Sequence, residues 1–160
     1  MALHDYMDWL GAAEIHWFFV QGEQALEREL YLPGTIGLIN GIEASIRFTL
    51  HKLDGKIDDD LGATLSNSLI RRARTKRLPV HALAFPGERD FNVKLATNSS
   101  HVEIVRLRHN LAHGNIIEYI HREEQFFTPE CLRETSSRLV TLSREWARQL
   151  GEFRKKRIKA

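Results

Sequence analysis

The segment Arg106-Leu107-Arg108-His109-Asn110-Leu111-Ala112-His113-Gly114 gathers several reactive side-chain types into one short run. An imidazole whose ordinary pKa lies close to neutrality serves as a general base or a general acid. A guanidinium presents a planar fork of donors to a phosphate or a carboxylate. By its own spacing such a run suits metal binding by His109 with His113. The two histidines are four residues apart and share a helical face, a spacing that suits two zinc ligands. A third ligand would have to come from His101, His121, Glu118 or Asp90, and the chain has neither an HExxH string nor a cysteine pair. The expectation is therefore no metal and no other cofactor.

Helical wheels single out two charges. With 100° per residue and Ile39 at zero, Ile36, Ile42, Ile46 and Leu50 fall at about 60°, 300°, 340° and 20°. Glu43 lands at about 40°, within that apolar stripe. With Ile104 at zero, Leu107, Leu111 and Ala112 fall at about 300°, 340° and 80°, and Arg108 at about 40°. A lone charge on a core face costs several kcal/mol, so such residues are paired. Glu43 and Arg108 are expected to face each other across packed helices, with Arg47 one turn beyond Glu43 and close enough to share the site. Two readings stand: a structural salt bridge, or charge held for function beside a histidine.

These residues resemble the HEPN domain family, whose mark is an arginine, four to six intervening residues and a histidine. Arg108 and His113 fit the four-residue version, and Arg-His-Asn-Leu-Ala-His-Gly is similar to a string often seen there. Many of its ribonucleases also carry, on an earlier helix, a Glu followed after three residues by Lys or Arg, and Glu43-Ala44-Ser45-Ile46-Arg47 matches. The resemblance spans the helical frame from roughly Ala12 to Gly114 plus the last helix, and leaves 74–100 unaccounted for. It implies a helical bundle that dimerises and a metal-independent endoribonuclease leaving 2′,3′-cyclic phosphate and 5′-hydroxyl ends. His113 would act as base or acid, Arg108 would stabilise the transition state, Glu43 would orient Arg108, and Asn110 would add a polar contact. A role in toxin–antitoxin, stress or phage defence, with an antitoxin protein as partner, is likewise implied. The alternative is a non-catalytic HEPN-like module that binds RNA or protein.

On a regular helix, positions five apart point about 140° from each other. Either the helix unwinds near Gly114, or Arg108 and His113 converge only through a dimer.

Net charge is +2, but it is unevenly spread. Arg71, Arg72, Arg74, Lys76 and Arg77 form one basic run; Arg154, Lys155, Lys156, Arg157 and Lys159 form another. These ten leave 13 of the 23 basic residues against 21 acidic ones, so the remainder is acidic. The runs are either solvated helix-end charge or attractors for RNA phosphates; the resemblance favours RNA.

The elements needed to position this chemistry are helices. Spacing predicts one helix from about Tyr6 to Leu30 stopping at Pro33-Gly34, and a second from Thr35 as N-cap to near Leu53, ending at Asp54-Gly55. Gly37 and Gly41 inside it allow close packing. A third follows the acidic caps Asp58-Asp59-Asp60 through Leu61, Leu65, Leu69 and Ile70. Residues 74–100, with Pro79, Pro86-Gly87 and Asn98-Ser99-Ser100, read as a long irregular loop. A fourth helix runs from after Ser100 to Gly114. Residues 115–127 favour strand, as a short hairpin turning at Arg122-Glu123-Glu124. Thr128-Pro129-Glu130 starts the last helix, through Leu132, Leu139, Leu142, Trp146, Leu150 and Phe153. Trp9, Trp17, Phe18 and Trp146 have core spacing, and His4, His16, His51 and His81 read as surface or satisfied core residues.

The fold expected is all-α, one domain over 1–160 with about five helices, and composition agrees. At 42% hydrophobic and 28% charged, the chain is ordinary for a globular protein and long enough for one sizeable core. The longest apolar run, Trp17-Phe18-Phe19-Val20, is too short to span a membrane, and Met1 to Asp5 lack a secretory pattern. The single cysteine, Cys131, forms no internal disulfide and has no histidine beside it in sequence, so a cytoplasmic location is expected.

Overall fold

Gly11 takes a left-handed φ of 58°, which glycine reaches without steric cost, and the first helix stops before it. The single helix expected over about Tyr6 to Leu30 is therefore two, α1 (Ala2–Leu10) and α2 (Ala13–Glu27). The computed structural model describes residues 2–55, 64–121, 123 and 125–158. After α2 the chain turns at Glu29, where Leu30 N–H donates to Ala25 O and Glu29 N–H to Leu26 O. The break thus precedes Pro33-Gly34. α3 (Tyr31–Asp54) includes both, because Pro33 lies in its first turn, where a missing N–H breaks no intrahelical bond. Thr35 is no cap: it is buried, and its hydroxyl donates to Tyr31 O at 2.6 Å. Gly55 at φ 64° closes α3.

α2 and α3 form an antiparallel hairpin that small residues draw together. A Cβ on Gly37 would sit 3.0 Å from Gly22 Cα, and one on Gly41 would sit 3.0 Å from the Phe19 ring. The C-terminal helix, the seventh, runs Arg133–Arg157 alongside α3. Trp146 Nε1 donates to Ser45 Oγ at 2.8 Å, and Arg133 Nε donates to Tyr31 OH at 2.8 Å. Gly151 of that helix admits the Trp9 backbone of α1, whose carbonyl oxygen any Cβ there would overlap. Tyr6, Phe19, Leu38, Ile42, Ile46 and Trp146 belong to one contiguous core, each worth about 1.5–3 kcal/mol of burial.

α4 (Asn67–Thr75) is capped by Ser66, whose Oγ accepts from Leu69 N–H at 3.1 Å. The acidic caps expected at 58–60, and Leu61, lie outside the described residues. The stretch 74–100 is not an irregular loop. It holds a 3₁₀ turn at Val80–Leu83 and α5 (Phe91–Leu95), and it buries Leu78, Leu83, Phe85, Phe91 and Leu95. One buried amide organises it: Asn67 Nδ2 faces Lys94 O, Thr97 O and Ser100 O at 2.8–3.0 Å, and its Oδ1 accepts from Val102 N–H at 3.2 Å.

α6 (Glu103–His113) ends at Gly114, φ 68°. The hairpin expected over 115–127 does not form: Ile117–Tyr119 is a 3₁₀ turn, and the described residues contain no strand. Arg122 and Glu124 of the expected turn lie outside them. An isolated hairpin needs a buried face, whereas Ile117 is 84% and Phe126 62% exposed. Thr128-Pro129-Glu130 opens a 3₁₀ turn at Pro129–Leu132 that feeds α7 (Arg133–Arg157), and the Thr128 side chain caps nothing. The described residues thus give an all-α fold of seven α-helices, two more than expected. No described helix is long and apolar enough to cross a membrane.

Candidate active site

Glu43, midway along α3, has two cationic neighbours and one backbone donor. Arg108 Nε of α6 lies 3.6 Å from Oε2, Arg47 Nη1 lies 3.4 Å from Oε1, and Leu65 N–H donates to Oε2 at 2.9 Å. The two charges marked by the wheels do meet. Their side chains are 14% and 25% exposed, so the pair borders solvent instead of lying in a sealed core. Ile36, placed on the same stripe, is 37% exposed. Among the described residues the terminal nitrogens of Arg108, which carry four N–H groups, make no hydrogen bond.

His113 does not join them. α6 stays helical through His113 and changes hand only at Gly114. Arg108 and His113 are therefore about 140° apart around the axis and about 7.5 Å apart along it. The His113 ring is exposed and lies 4.5 Å from that of His109, which lies 5.9 Å from His101. Among the described residues no three His, Cys, Asp or Glu side chains are grouped so as to hold a metal ion.

Asn110 turns away from the pair. It is buried, its Nδ2 donates to Glu118 Oε1 and to Tyr119 OH, and Arg106 grips the same Glu118 carboxylate. Asn110 thus fastens the turn after Gly114 onto α6. Burial pushes the Tyr119 hydroxyl pKa up.

The basic runs divide by role. Arg71 Nη1 donates to Leu95 O at 2.9 Å and its Nη2 to Asn98 Oδ1 at 2.7 Å, so it braces the segment after α5. Arg72 and Lys76 bind Asp54 at 3.3 and 2.6 Å and close the end of α3. Arg154 turns inward over the Phe48 ring and donates to Thr49 Oγ1 at 3.0 Å. Arg74, Arg77, Lys155, Lys156 and Arg157 are exposed and make no ion pair among the described residues. Arg77 from the first run joins Lys156 and Arg157 from the second around one pocket of about 390 Å³.

Glu23 carries the same signal in sequence as Glu43. With Phe19 at zero, Glu23 falls at about 40° on the α2 wheel, as Glu43 does on its own. Glu23 is 4% exposed and accepts from Tyr6 OH at 2.7 Å and from the Arg144 fork at 2.8 and 2.7 Å. Burial beside that carboxylate drives the Tyr6 hydroxyl pKa far up, and the hydrogen bond to Glu23 raises that of Arg144. Glu118 and the Leu65 N–H had no such signal, since neither lies on a regular helix. Trp17 and Phe18, given core spacing, are 44% and 42% exposed. His16 is neither surface nor satisfied: it is buried, and both ring nitrogens lack a hydrogen-bond partner. Cys131 is buried, 3.9 Å from Thr128 Oγ1.

Compared with known proteins, the chain matches no family model, no curated sequence and no solved structure.

Proposed function

We propose that this chain is a metal-independent endoribonuclease of HEPN type, acting as a homodimer. The observation that carries the reading is Arg108, part-exposed, set with Nε 3.6 Å from Glu43 and with no hydrogen bond from its terminal nitrogens among the described residues. A guanidinium held this way is preorganised for the charge that builds on a phosphorus in transit. Glu43 positions Arg108 and does not itself touch substrate; Arg47 shares the same carboxylate.

His113 of a second copy supplies the base, because within one chain it points away from Arg108. It takes the ribose 2′-hydroxyl proton, the 2′-oxygen attacks phosphorus, and the 5′-oxygen leaves with a proton returned from imidazolium or water. The products are a 2′,3′-cyclic phosphate and a 5′-hydroxyl. Exposed cations from both basic runs favour RNA as the partner. A cytoplasmic setting, an antitoxin and a role in defence extend the same reading and rest on the resemblance alone.

The test is cleavage of a mixed RNA pool in EDTA, with the ends mapped. Wild type should cut, and Arg108→Ala and His113→Ala should not. Mixing the two variants should restore activity, because half of the dimers are mixed and each of those holds one intact composite site, giving about a quarter of the wild-type rate. Failure of the mixture to recover would exclude the shared site. RNA bound in a salt-dependent way but left uncut by wild type would replace the enzyme with a binding module.

A further inference from the structure

The pocket between the turn after α4 and the end of α7 does not belong to the Glu43–Arg108 site. Arg77 stands on one wall; Lys156 and Arg157 stand on the other. None of the three is ion-paired among the described residues. Arg148, also at the pocket, already bonds Glu152 and Glu145, each at 2.7 Å, so its charge is largely spent. Three uncompensated cations around one small volume match a dianion better than the single charge of a phosphodiester. Phe153 and Pro79 add an apolar wall. The volume, about 390 Å³, exceeds what a bare phosphate needs and falls in the range of small-molecule sites.

The backbone supplies a separate observation. Arg77 occupies the left-handed position that ends α4, at φ 65°, with Leu78 N–H donating to Ala73 O and Arg77 N–H to Arg74 O. Glycine serves this position best, and a side chain there is under mild strain. The chain keeps a guanidinium at the pocket where backbone economy favours none.

We propose that this pocket binds the terminal phosphate monoester of a nucleotide, with the base against Phe153 and Pro79. The monoester has two sources, a free mononucleotide or the 5′-phosphorylated end of a nucleic acid, and its binding requires neither Glu43 nor Arg108.

Calorimetric titration of the whole protein at low salt tests it, with adenosine monophosphate, adenosine, and 5′-phosphorylated and 5′-hydroxyl oligodeoxynucleotides, which lack the 2′-hydroxyl needed for cleavage. Adenosine monophosphate should bind at least about tenfold more tightly than adenosine. Arg77→Gly should weaken it about tenfold while the melting temperature stays level or rises, and Lys156→Ala should act in the same direction. A phosphorylated oligonucleotide tighter than the mononucleotide identifies a chain end as the ligand; the reverse identifies a free nucleotide. Equal binding of adenosine and its monophosphate, full affinity in Arg77→Gly, or binding of neither phosphorylated probe overturns the proposal.

Discussion

The nearest approach of Arg108 to Glu43 is Nε to Oε2 at 3.6 Å, whereas Arg144 grips Glu23 with two nitrogens at 2.7 and 2.8 Å. The same molecule therefore builds one saturated ion pair, on the buried Glu23 with Arg144 itself exposed, and one unsaturated pair, on the less buried Glu43. The saturated pair has no donor left for a ligand on the side facing the carboxylate. The Glu43 pair is longer than a hydrogen bond, and the Arg108 terminal nitrogens make no hydrogen bond among the described residues.

Glu43→Ala should destabilise the fold by about 1–3 kcal/mol, because it strands the Leu65 N–H as well as removing the counter-charge of two arginines. Glu43→Gln, which retains an oxygen for Leu65, should lose less. Urea unfolding of both variants measures the difference. On the nuclease reading, Glu43→Gln should still lose most of its cleavage, since Arg108 is no longer held by a charge.

Asn67→Ala should be costlier than most polar-to-alanine changes. It removes one side chain that serves three carbonyls and one amide between Lys94 and Val102. A loss of about 2–4 kcal/mol is expected, with faster hydrogen exchange concentrated around α5 and the start of α6. Unchanged exchange there would show that the apolar anchors Phe91 and Leu95 hold the segment without the amide.

Asp54 sets an acid-sensitive latch between α3 and α4. Its hydrogen bond to Lys76, helped by Arg72, holds the carboxyl below the ordinary carboxylate range. A lowered folded pKa means stability that is present above the unfolded value of about 3.9 and lost as pH falls through the folded one. Asp54→Asn should therefore be less stable than wild type at pH 7, and the gap should close as the two are compared at progressively lower pH. Urea midpoints across that range decide it.

Gly151→Ala places a methyl group on the Trp9 carbonyl oxygen, and the backbone of α1 must retreat. Overpacking of this kind costs about 1–3 kcal/mol. The change should appear as altered Trp9 fluorescence and earlier proteolysis of the N-terminal helix.

Periodicity alone determined the all-α class, the Asp54-Gly55 and Gly114 ends, and the meeting of Glu43 with Arg108. Each is local or nearly so: a glycine that closes a helix acts on its own turn, and a charge on an apolar face must find its opposite. Other features depended on neighbours distant in sequence. Pro33 and Thr35 read as a boundary until the first-turn position of the proline and the burial of Thr35 are known. The order in 74–100 comes from Asn67, whose partners lie up to 35 positions away. Whether Arg71 or Arg157 is free depends on which carbonyls and carboxylates the fold brings near, and a run of five basic residues carries no record of that. The direction of His113 was legible from the helical angle, but only the unbroken geometry of α6 excluded the unwinding that would have returned it to Arg108.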